Sequence, residues 1–278
     1  MNGELSRKVD RAILIIKSVR PTAGDPIEVA YSGGKDSDVI LRLTQMAGVP
    51  YRAIYKNTTI DPPGTIRHCR ENDVEVMRPK ATFFQLIRKK GMQGRFRRFC
   101  CAELKEYPIL RNVVLGIRRS ESIKRAKRYK EPIECRVWRG GVRTQQVLPI
   151  LDWTDQDLLD FINDQRIRLH PLYYNDNGSI DITRRLGCIG CPLASQSKRI
   201  DEFKRYPGML RAYIRNAQVY LDTHKNSVTA NTYKNAYEWM AMNLFYQDRE
   251  KFIEEYHGLF SEETNCKELL EAYFQTKL

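Results

Sequence analysis

The sequence predicts an α/β fold in which a parallel β-sheet carries helices on both faces, followed by a mainly helical C-terminal region. Over roughly the first 150 residues, short apolar segments that suit buried strands alternate with segments of helical periodicity. Beyond residue 195 the apolar spacing is helical, without a strong strand signal. We therefore predict two domains, residues 1–195 with the sheet and residues 196–278 with the remaining helices.

The elements of the first domain follow from apolar periodicity and its punctuation. Residues 4–20 carry apolar side chains at helical spacing and end at Pro21, which predicts a first helix. The strand candidates are Ile27–Tyr31, Tyr51–Tyr55, Val74–Met77, Val113–Ile117 and Val147–Leu151. Helical segments are predicted around Ile66, Phe84, Leu104 and Ile123. Thr154 and Asp157 then form a capping box that starts another helix.

The composition is that of an ordinary globular protein. Of 278 residues, 42% are hydrophobic and 29% are charged, which excludes disordered, collagen-like and low-complexity classes. The longest apolar run near the start, Ala12 to Ile16, is far shorter than the roughly 20 residues that span a bilayer. We expect a cytoplasmic protein without a membrane partner.

A glycine turn after the first predicted strand is the main functional signal. It comprises Ser32, Gly33, Gly34, Lys35, Asp36 and Ser37, and a helical segment follows it. Two glycines before a helix direct unpaired N–H groups and the positive end of the helix dipole at one point, which suits a phosphate. Lys35 adds a charge, the two serines can donate hydrogen bonds, and Asp36 can hold Mg²⁺. The turn lacks the G-x-x-x-x-G-K-[ST] pattern, which excludes an ordinary kinase or GTPase.

Three further charged residues follow predicted strands. Asp61 precedes two prolines, where it either serves the turn or places a carboxylate near a nucleotide at the strand ends. Arg118 and Arg119 follow an apolar strand, where they either bind phosphate or sulfate bidentately or are solvated. We predict Lys35, Asp36 and Asp61 as catalytic residues. The two arginines join the turn as predicted nucleotide ligands.

Positive charge is concentrated in one stretch. The net charge of the chain is +13, and residues 88–130 contain fifteen Lys or Arg and three acidic residues. Such a stretch is either a solvated basic face or a surface for an anionic partner. Aromatic residues lie within it at Phe96, Phe99, Tyr107 and Tyr129. Nucleic acid is therefore a candidate partner of the stretch from Arg88 to Lys130.

The seven cysteines are unevenly spaced, which argues against a disulfide framework. Two of them are adjacent, Cys100 and Cys101, and two more form a C-x-x-C turn, Cys188 and Cys191. Four thiolates suit either a zinc ion or an iron–sulfur cluster, and the spacing alone does not separate the two. The remaining interpretation is that the four are small buried side chains.

Four blocks of this sequence, in order, resemble the phosphoadenosine phosphosulfate (PAPS) reductase family. The segment Ser32–Ser37 resembles the SGGKDS loop of PP-loop ATP pyrophosphatases, which have the adenine nucleotide alpha-hydrolase fold. The later blocks are Asn57–Pro63, Gly116–Ser122 and Leu148–Thr154. The resemblance covers about residues 27–195 and implies that fold, with an adenine nucleotide at the loop.

The cysteine pattern resembles the CC…CxxC of 4Fe-4S adenosine phosphosulfate (APS) reductases and of PP-loop enzymes of DNA phosphorothioation. That resemblance implies a 4Fe-4S cluster held by Cys100, Cys101, Cys188 and Cys191.

Two departures from the reductases shape the functional hypothesis. The reductases carry a nucleophilic cysteine in a Glu-Cys-Gly-x-His setting, whereas the tail here reads Asn265-Cys266-Lys267-Glu268. The loop also retains Lys35, Asp36 and Ser37, as in ATP-cleaving relatives. We therefore hypothesise an enzyme that uses Mg-ATP to adenylate an acceptor, which then receives sulfur from a donor. The alternatives are a thioredoxin-dependent PAPS or APS reductase and a non-catalytic nucleic-acid or complex-assembly module.

Overall fold

The computed structural model describes residues 3–138, 141–245 and 265–278. These residues form two compact units, each built from separate stretches of chain. Unit 1 draws on Met1–Asn57, Asp61–Pro79 and Leu104–Gly187, and unit 2 on Thr58–Ile60, Lys80–Glu103 and Cys188–Leu278. The predicted domain boundary after residue 195 stays a prediction. Among the described residues, no helix combines the length and apolar character needed to cross a bilayer.

Unit 1 contains a six-stranded sheet. Its strands are β1 (Ile27–Tyr31), β2 (Tyr51–Lys56), β3 (Glu75–Met77), β4 (Asn112–Val114), β5 (Ile133–Val137) and β6 (Arg143–Val147). The strand order is β3-β2-β1-β4-β6-β5, and every neighbouring pair is parallel except β5 and β6. The predicted α/β class with its mostly parallel sheet is confirmed, with one antiparallel strand at the edge.

Helices connect and cover the strands. In chain order they are α1 (Gly3–Ser18), α2 (Lys35–Ala47), α3 (Thr65–Glu71), α4 (Phe83–Lys90), α5 (Phe99–Leu104), α6 (Ile123–Arg128), α7 (Asp155–Asp164), α8 (Gln196–Arg205), α9 (Pro207–Thr223), α10 (Val228–Thr232), α11 (Ala236–Phe245) and α12 (Cys266–Phe274). The last five confirm a helical C-terminal region, of which residues 246–264 lie outside the described residues.

The core of unit 1 lies around β1, α1 and α2. The buried side chains of α1 recur at helical spacing and face α2. In β1, Ile27 and Val29 are fully buried, and neighbouring Glu28 is buried as well. Because successive residues of a strand point to opposite faces, this pattern means that both faces of the central strand are covered.

Two strand predictions were wrong in ways that have a physical cause. The segment Val147–Leu151 was predicted as a strand, but the strand ends at Val147 and a turn follows. Pro149 cannot donate a ladder hydrogen bond, and the turn closes through the Trp153 N–H, which donates to the Ile150 carbonyl. The apolar residues of this turn are buried in the core, which is why they resemble a strand. The strand predicted at 113–117 likewise ends at residue 114.

Unit 2 has an aromatic centre. Helices α4 and α9 pack together, and the ring of Tyr213 lies 5.3 Å from Phe83, 5.5 Å from Phe84 and 5.3 Å from Phe203, measured between centroids. Edge and tilted ring contacts of this kind add to the stability gained by burying the rings. This centre supports the turn that carries Cys188 and Cys191.

Candidate nucleotide site

The predicted glycine turn connects β1 directly to α2. Gly33 adopts a φ of 77°, a left-handed conformation that favours glycine, and a Cβ there would lie 3.1 Å from the Thr65 Cγ2 atom. Gly34 is the N-cap of α2 and offers no side chain to its N–H groups. The Ser37 hydroxyl donates to the Gly34 carbonyl at 2.7 Å, which closes the turn. The Lys35 N–H donates to the Tyr173 hydroxyl at 3.2 Å, so what the first turn of α2 offers a ligand is chiefly the positive end of the helix dipole.

The turn borders a cavity of about 250 Å³. Polar and charged groups from the turn, α6 and the loop near residue 185 converge on it. The lining residues are Ala30, Ser32, Gly34, Lys35, Asp36, Ser37, Gly116, Glu121, Arg125, Tyr173, Arg185 and Leu186. Five of the six predicted turn residues thus line one cavity, and Gly33 lies behind them as the residue that allows the turn.

Lys35 is the most buried cation of the cavity, with 3% of its surface exposed. Its Nζ atom donates to the Arg184 carbonyl at 3.2 Å and lies 3.6 Å from the Asp36 Oδ2 atom. Burial lowers the pKa of Lys35, and the Asp36 charge opposes that change. A bound anion would stabilise the charged form of Lys35, which burial disfavours.

Arg118 lies beside the cavity and contacts carboxylates. Its Nε atom donates to the Asp36 Oδ1 atom at 2.7 Å and its Nη2 atom to the Asp155 Oδ1 atom at 2.8 Å. The side chain is buried and is not among those that line the cavity. Arg119 instead donates to the Asp152 carboxylate and, at 2.9 Å, to the Tyr129 carbonyl. Both arginines therefore hold protein groups in place, and direct contact with a phosphate stays a prediction.

Asp61 also lies outside the lining of the cavity. Its carboxylate accepts a hydrogen bond from the Tyr55 hydroxyl at 2.5 Å and lies 3.6 Å from the Lys105 Nζ atom. Tyr55 is the second-last residue of β2, so the Asp61 carboxylate lies at the carboxyl end of that strand. A catalytic role for Asp61 stays a prediction.

Arg125 and Arg185 are cavity residues that sequence reasoning missed. Both interact with the Glu121 carboxylate, and the Arg185 Nη2 atom lies 3.7 Å from it. Burial lowers the pKa of Arg125, and the Arg185 charge adds to that effect. Arg125 belongs to the basic stretch and Arg185 precedes the C-x-x-C turn. Their charge is the one sequence signal that could have suggested them as ligands of an anion. Only the fold shows that they reach the same cavity as Lys35.

A buried network supports α2 from the other side. The Asp38 carboxylate accepts a hydrogen bond from the Tyr31 hydroxyl, and the His68 Nε2 atom lies 3.0 Å from its Oδ1 atom. Burial raises the pKa of Asp38, against the effect of the His68 contact. The network ties β1, α2 and α3 together directly after the turn.

The four predicted cluster cysteines all belong to unit 2. Cys100 and Cys101 lie on α5. In the C-x-x-C turn, the Cys191 N–H donates to the Cys188 carbonyl at 3.3 Å. The pKa of Cys100 is raised, mainly by its hydrogen bond with Cys101, then by burial and by the charges of Cys101 and Cys188. The thiols of Cys101 and Cys188 therefore lie close enough to Cys100 to affect its pKa.

The thiol chemistry suits a cluster, but the side-chain arrangement is not that of a metal site. Within the described ranges, no group of three or more His, Cys, Asp or Glu side chains has an arrangement that could hold a metal ion. The backbone of the turn is nevertheless well fixed. Gly190 has a φ of 71°, and a Cβ there would lie 2.5 Å from the Phe203 Cζ atom. The Tyr213 hydroxyl donates to the Ile189 carbonyl at 2.9 Å, and the Gly190 N–H donates to Glu202 at 2.8 Å.

Comparison with known protein families decides the identity of this α/β chain. Residues 26–194, more than half of the sequence, match the phosphoadenosine phosphosulfate reductase domain. The chain belongs to the phosphoadenosine phosphosulfate reductase domain family. The predicted resemblance to the PAPS reductase family is confirmed.

Relatives of this PAPS reductase-family chain are distant. It is 25% identical over 241 residues to an uncharacterised protein of Methanocaldococcus jannaschii, covering 80% of this chain and 48% of the relative. The chain thus spans about half the length of that curated protein.

Solved structures with a similar fold include three enzymes. The PAPS reductase of Candida auris has a TM-score of 0.44 and 16% identity, covering 67% of this chain and 98% of that one. FMN adenylyltransferase of Candida glabrata, in complex with FMN and an ATP analogue, has a TM-score of 0.44 and 17% identity, and the match covers 64% of this chain and 62% of that one. NH3-dependent NAD synthetase of Campylobacter jejuni has a TM-score of 0.40 and 14% identity, and the match covers 84% of this chain and 96% of that one.

The C-terminal cysteine of this family member is a packed residue. Cys266 is buried at the first turn of α12. Burial, with a contribution from Glu238, raises the pKa of its thiol to about 11. A thiol of this kind is a weak nucleophile at neutral pH, because the thiolate is the reactive form.

Proposed function

We propose that this PAPS reductase-family chain is an ATP pyrophosphatase-type enzyme, which adenylates an acceptor and releases pyrophosphate in a sulfur-transfer reaction. The observation that carries the proposal is the convergence of Lys35, Arg125 and Arg185 on one polar cavity at the N-terminus of α2. Three cations beside the positive end of a helix dipole suit a polyphosphate. The complete SGGKDS loop supports ATP over a sulfonucleotide.

In the proposed reaction, an acceptor oxygen attacks the α-phosphorus of ATP. A new oxygen–phosphorus bond forms, the bond from the α-phosphorus to its bridging oxygen breaks, and pyrophosphate leaves with the electron pair. Lys35 and the positive end of the α2 dipole stabilise the charge that develops on this leaving group. Arg125 and Arg185, held by Glu121, position the rest of the polyphosphate from the facing wall.

Asp36 has a different role in this proposal from the one first predicted. Its two carboxylate oxygens already face Arg118 and Lys35. A carboxylate that two cations neutralise does not fit well as a ligand for Mg²⁺, so we assign Asp36 to positioning these cations. Magnesium then enters the site with ATP, as part of the substrate.

We further propose that Cys100, Cys101, Cys188 and Cys191 hold a 4Fe-4S cluster when iron and sulfide are supplied. The support is the family resemblance and the placement of all four in unit 2. The test is iron, sulfide and zinc analysis of anaerobically purified protein. Cys188→Ser should lower iron and sulfide content, and Cys135→Ser, which changes an exposed cysteine of β5, should not. Zinc without iron, or equal metal content in all three proteins, would contradict the cluster.

The reductase alternative requires a reactive thiol, and the burial of Cys266 weighs against it. The deciding experiment measures pyrophosphate release from labelled ATP and, separately, sulfite release from PAPS or APS with thioredoxin. Lys35→Ala should lower pyrophosphate release by about 100-fold or more. The control Lys17→Ala removes an exposed lysine of α1 and should leave the rate unchanged. Sulfite release that depends on Cys266 would replace this proposal by the reductase, and silence in both reactions would favour a non-catalytic module.

A further inference from the structure

One edge of unit 1 carries a basic surface separate from the nucleotide cavity. The connection from β4 to the edge strand β5 contains α6, and residues 123–138 include six Lys or Arg against two Glu. We call this region the α6–β5 surface. It consists of Lys124, Lys127, Arg128, Lys130, Arg136 and Trp138. Only Arg125 of this stretch lines the cavity.

The lysines of the α6–β5 surface are not neutralised by the protein. Lys124, Lys127 and Lys130 are exposed, and none of them forms an ion pair with a carboxylate in the part of the chain that the structure describes. Other cations of the basic stretch do have carboxylate partners, as Lys90 has in Glu103. Three uncompensated positive charges on one short segment create a local potential that attracts an anionic polymer.

Two arginine–aromatic pairs lie beside these lysines. The Arg136 guanidinium is 3.8 Å from the centre of the Trp138 ring, and the Trp138 Nε1 atom donates to the Thr144 hydroxyl at 2.7 Å. The Arg128 guanidinium lies 5.1 Å from the Tyr129 ring. The hydrogen bond to Thr144 fixes the indole plane, so the stack is held in one orientation.

The Arg136–Trp138 pair lies along one side of the edge strand. Glu134 and Arg136 of β5 and Trp138 just after it are every second residue of the chain, so their side chains point to the same face of the sheet. Arg128 is the last residue of α6 and Tyr129 is its C-cap, and β5 begins four residues later at Ile133. Cationic planes and free lysine charges therefore occur together along a short path.

Apolar side chains at the margins complete the surface. Ile123 is 76% exposed at the start of α6, and Val142 is 52% exposed beside Trp138, whose backbone N–H donates to the Val142 carbonyl. A partner of this surface offers regularly spaced negative charges together with flat or apolar groups. Single-stranded nucleic acid combines phosphates with unpaired bases that can stack on aromatic and guanidinium planes.

We infer that the α6–β5 surface binds single-stranded nucleic acid through phosphate contacts to its lysines and base stacking on its arginine–aromatic pairs. The role of that polymer as the acceptor in adenylation rests on the proposed function, whereas binding itself does not. The two can fail separately, because binding is measured without ATP.

The first test uses the full chain and a fluorescently labelled oligothymidylate of about 20 nucleotides, long enough for more than one binding site. Anisotropy gives the affinity at several salt concentrations. The triple variant Lys124→Gln/Lys127→Gln/Lys130→Gln should bind about tenfold more weakly or worse, and the salt slope should fall by about 2, since each lost phosphate contact removes about 0.7. The matched control is Arg7→Gln/Arg11→Gln/Lys17→Gln, which removes the same charge from α1 and should change the affinity by no more than about twofold.

The second test concerns stacking. Trp138→Ala should weaken binding by about tenfold, whereas Trp138→Phe, which keeps a ring, should retain most of the affinity. Circular dichroism and thermal unfolding of each variant exclude a folding defect. Equal losses in the two triple variants would overturn the inference, because binding would then follow net charge alone. Equal or tighter binding to duplex DNA, or to vesicles of anionic phospholipid, would overturn it in favour of those partners.

Discussion

The candidate nucleotide cavity of unit 1 and the cysteine turn of unit 2 both depend on a glycine in the left-handed conformation, Gly33 in one and Gly190 in the other. Around Gly33, charged side chains from three segments already converge on one cavity. Around Gly190 the backbone is held by aromatic side chains, but within the described ranges the thiols form no group arranged to hold a metal.

The difference follows from what each kind of site is made of. A phosphate site built from backbone N–H groups and arginines is positioned by secondary structure and by ion pairs, such as those of Glu121 with Arg125 and Arg185. A thiolate site gains most of its order from the metal itself, because ligation replaces thiol protons and couples to folding. The cavity is thus a property of the polypeptide, and the proposed cluster site would be completed by its metal.

The largest effect is expected where unit 1 anchors its loop. Arg118→Met removes a buried guanidinium from Asp36 and Asp155 and leaves the Asp36 carboxylate beside an apolar side chain. We expect the free energy of unfolding to fall by roughly 3 kcal/mol, measured by urea denaturation. Arg119→Met is the control, because its pair with Asp152 is only partly buried and should contribute about 1 kcal/mol or less. Similar losses in both variants would show that Arg118 does not anchor the loop.

A somewhat smaller effect is expected in the cysteine turn. Gly190→Ala places a Cβ against Phe203 and strains the backbone, so the free energy of unfolding should fall by roughly 2 kcal/mol. Gly187→Ala meets no atom within 4 Å and should be nearly neutral. Thermal unfolding of both variants provides the comparison. A neutral Gly190→Ala would mean that the turn is not fixed before a metal binds.

The lowered pKa of Lys35 should make both folding stability and anion binding depend on pH. Burial lowers the pKa of Lys35 below its usual 10.5, so in the folded protein its proton is held less tightly than in the unfolded chain. Folding stability from this group should therefore rise as pH increases from the lowered pKa towards 10.5.

Pyrophosphate binding should show the opposite trend. Because the anion favours charged Lys35, affinity should fall as pH rises through the lowered pKa, by up to about tenfold per pH unit. Calorimetry in two buffers of different ionisation enthalpy would detect the proton taken up on binding. Lys35→Arg stays charged and should lose this proton uptake. Uptake that persists in Lys35→Arg would assign the titration to another group.

The smallest effect is expected at Cys266. Because the thiol is buried and its pKa is raised to about 11, Cys266→Ser should change the rate of pyrophosphate release by no more than about twofold. Initial rates of the variant and the wild-type protein are the measurement. A loss of about tenfold or more without a loss of folded protein would return Cys266 to the catalytic machinery.

The sequence was sufficient for the nucleotide turn because its signal is local. An apolar strand, two glycines and a helical segment specify the backbone of residues 32–37 with little help from the rest of the chain. Arg125 and Arg185 reach the cavity only through the tertiary fold, 60 positions apart in sequence, so no local pattern identifies them. Arg118 was predicted as a phosphate ligand because a guanidinium suits both phosphates and carboxylates, and the sequence does not say which lies nearby.

The edge of the sheet shows a second limit. Strand β5 was not predicted, although Ile133–Val137 alternates apolar and charged residues, because the segment is short and lies in a basic region. The neighbouring prediction of Val147–Leu151 was wrong, because a buried turn and a buried strand have the same apolar composition. Hydrogen-bond pairing between β5 and β6 decides the matter, and pairing partners are not visible in a single sequence.

The most direct measurement of the central claim is amide hydrogen exchange of the full chain with and without ATP. The account predicts that ATP and pyrophosphate, but not adenosine, slow exchange in the first turn of α2 and in the segment that contains Arg125, while the cysteine turn is unchanged. Protection by adenosine alone, or protection by ATP at other segments with none at residues 32–37, would contradict the assignment of this turn as the phosphate site.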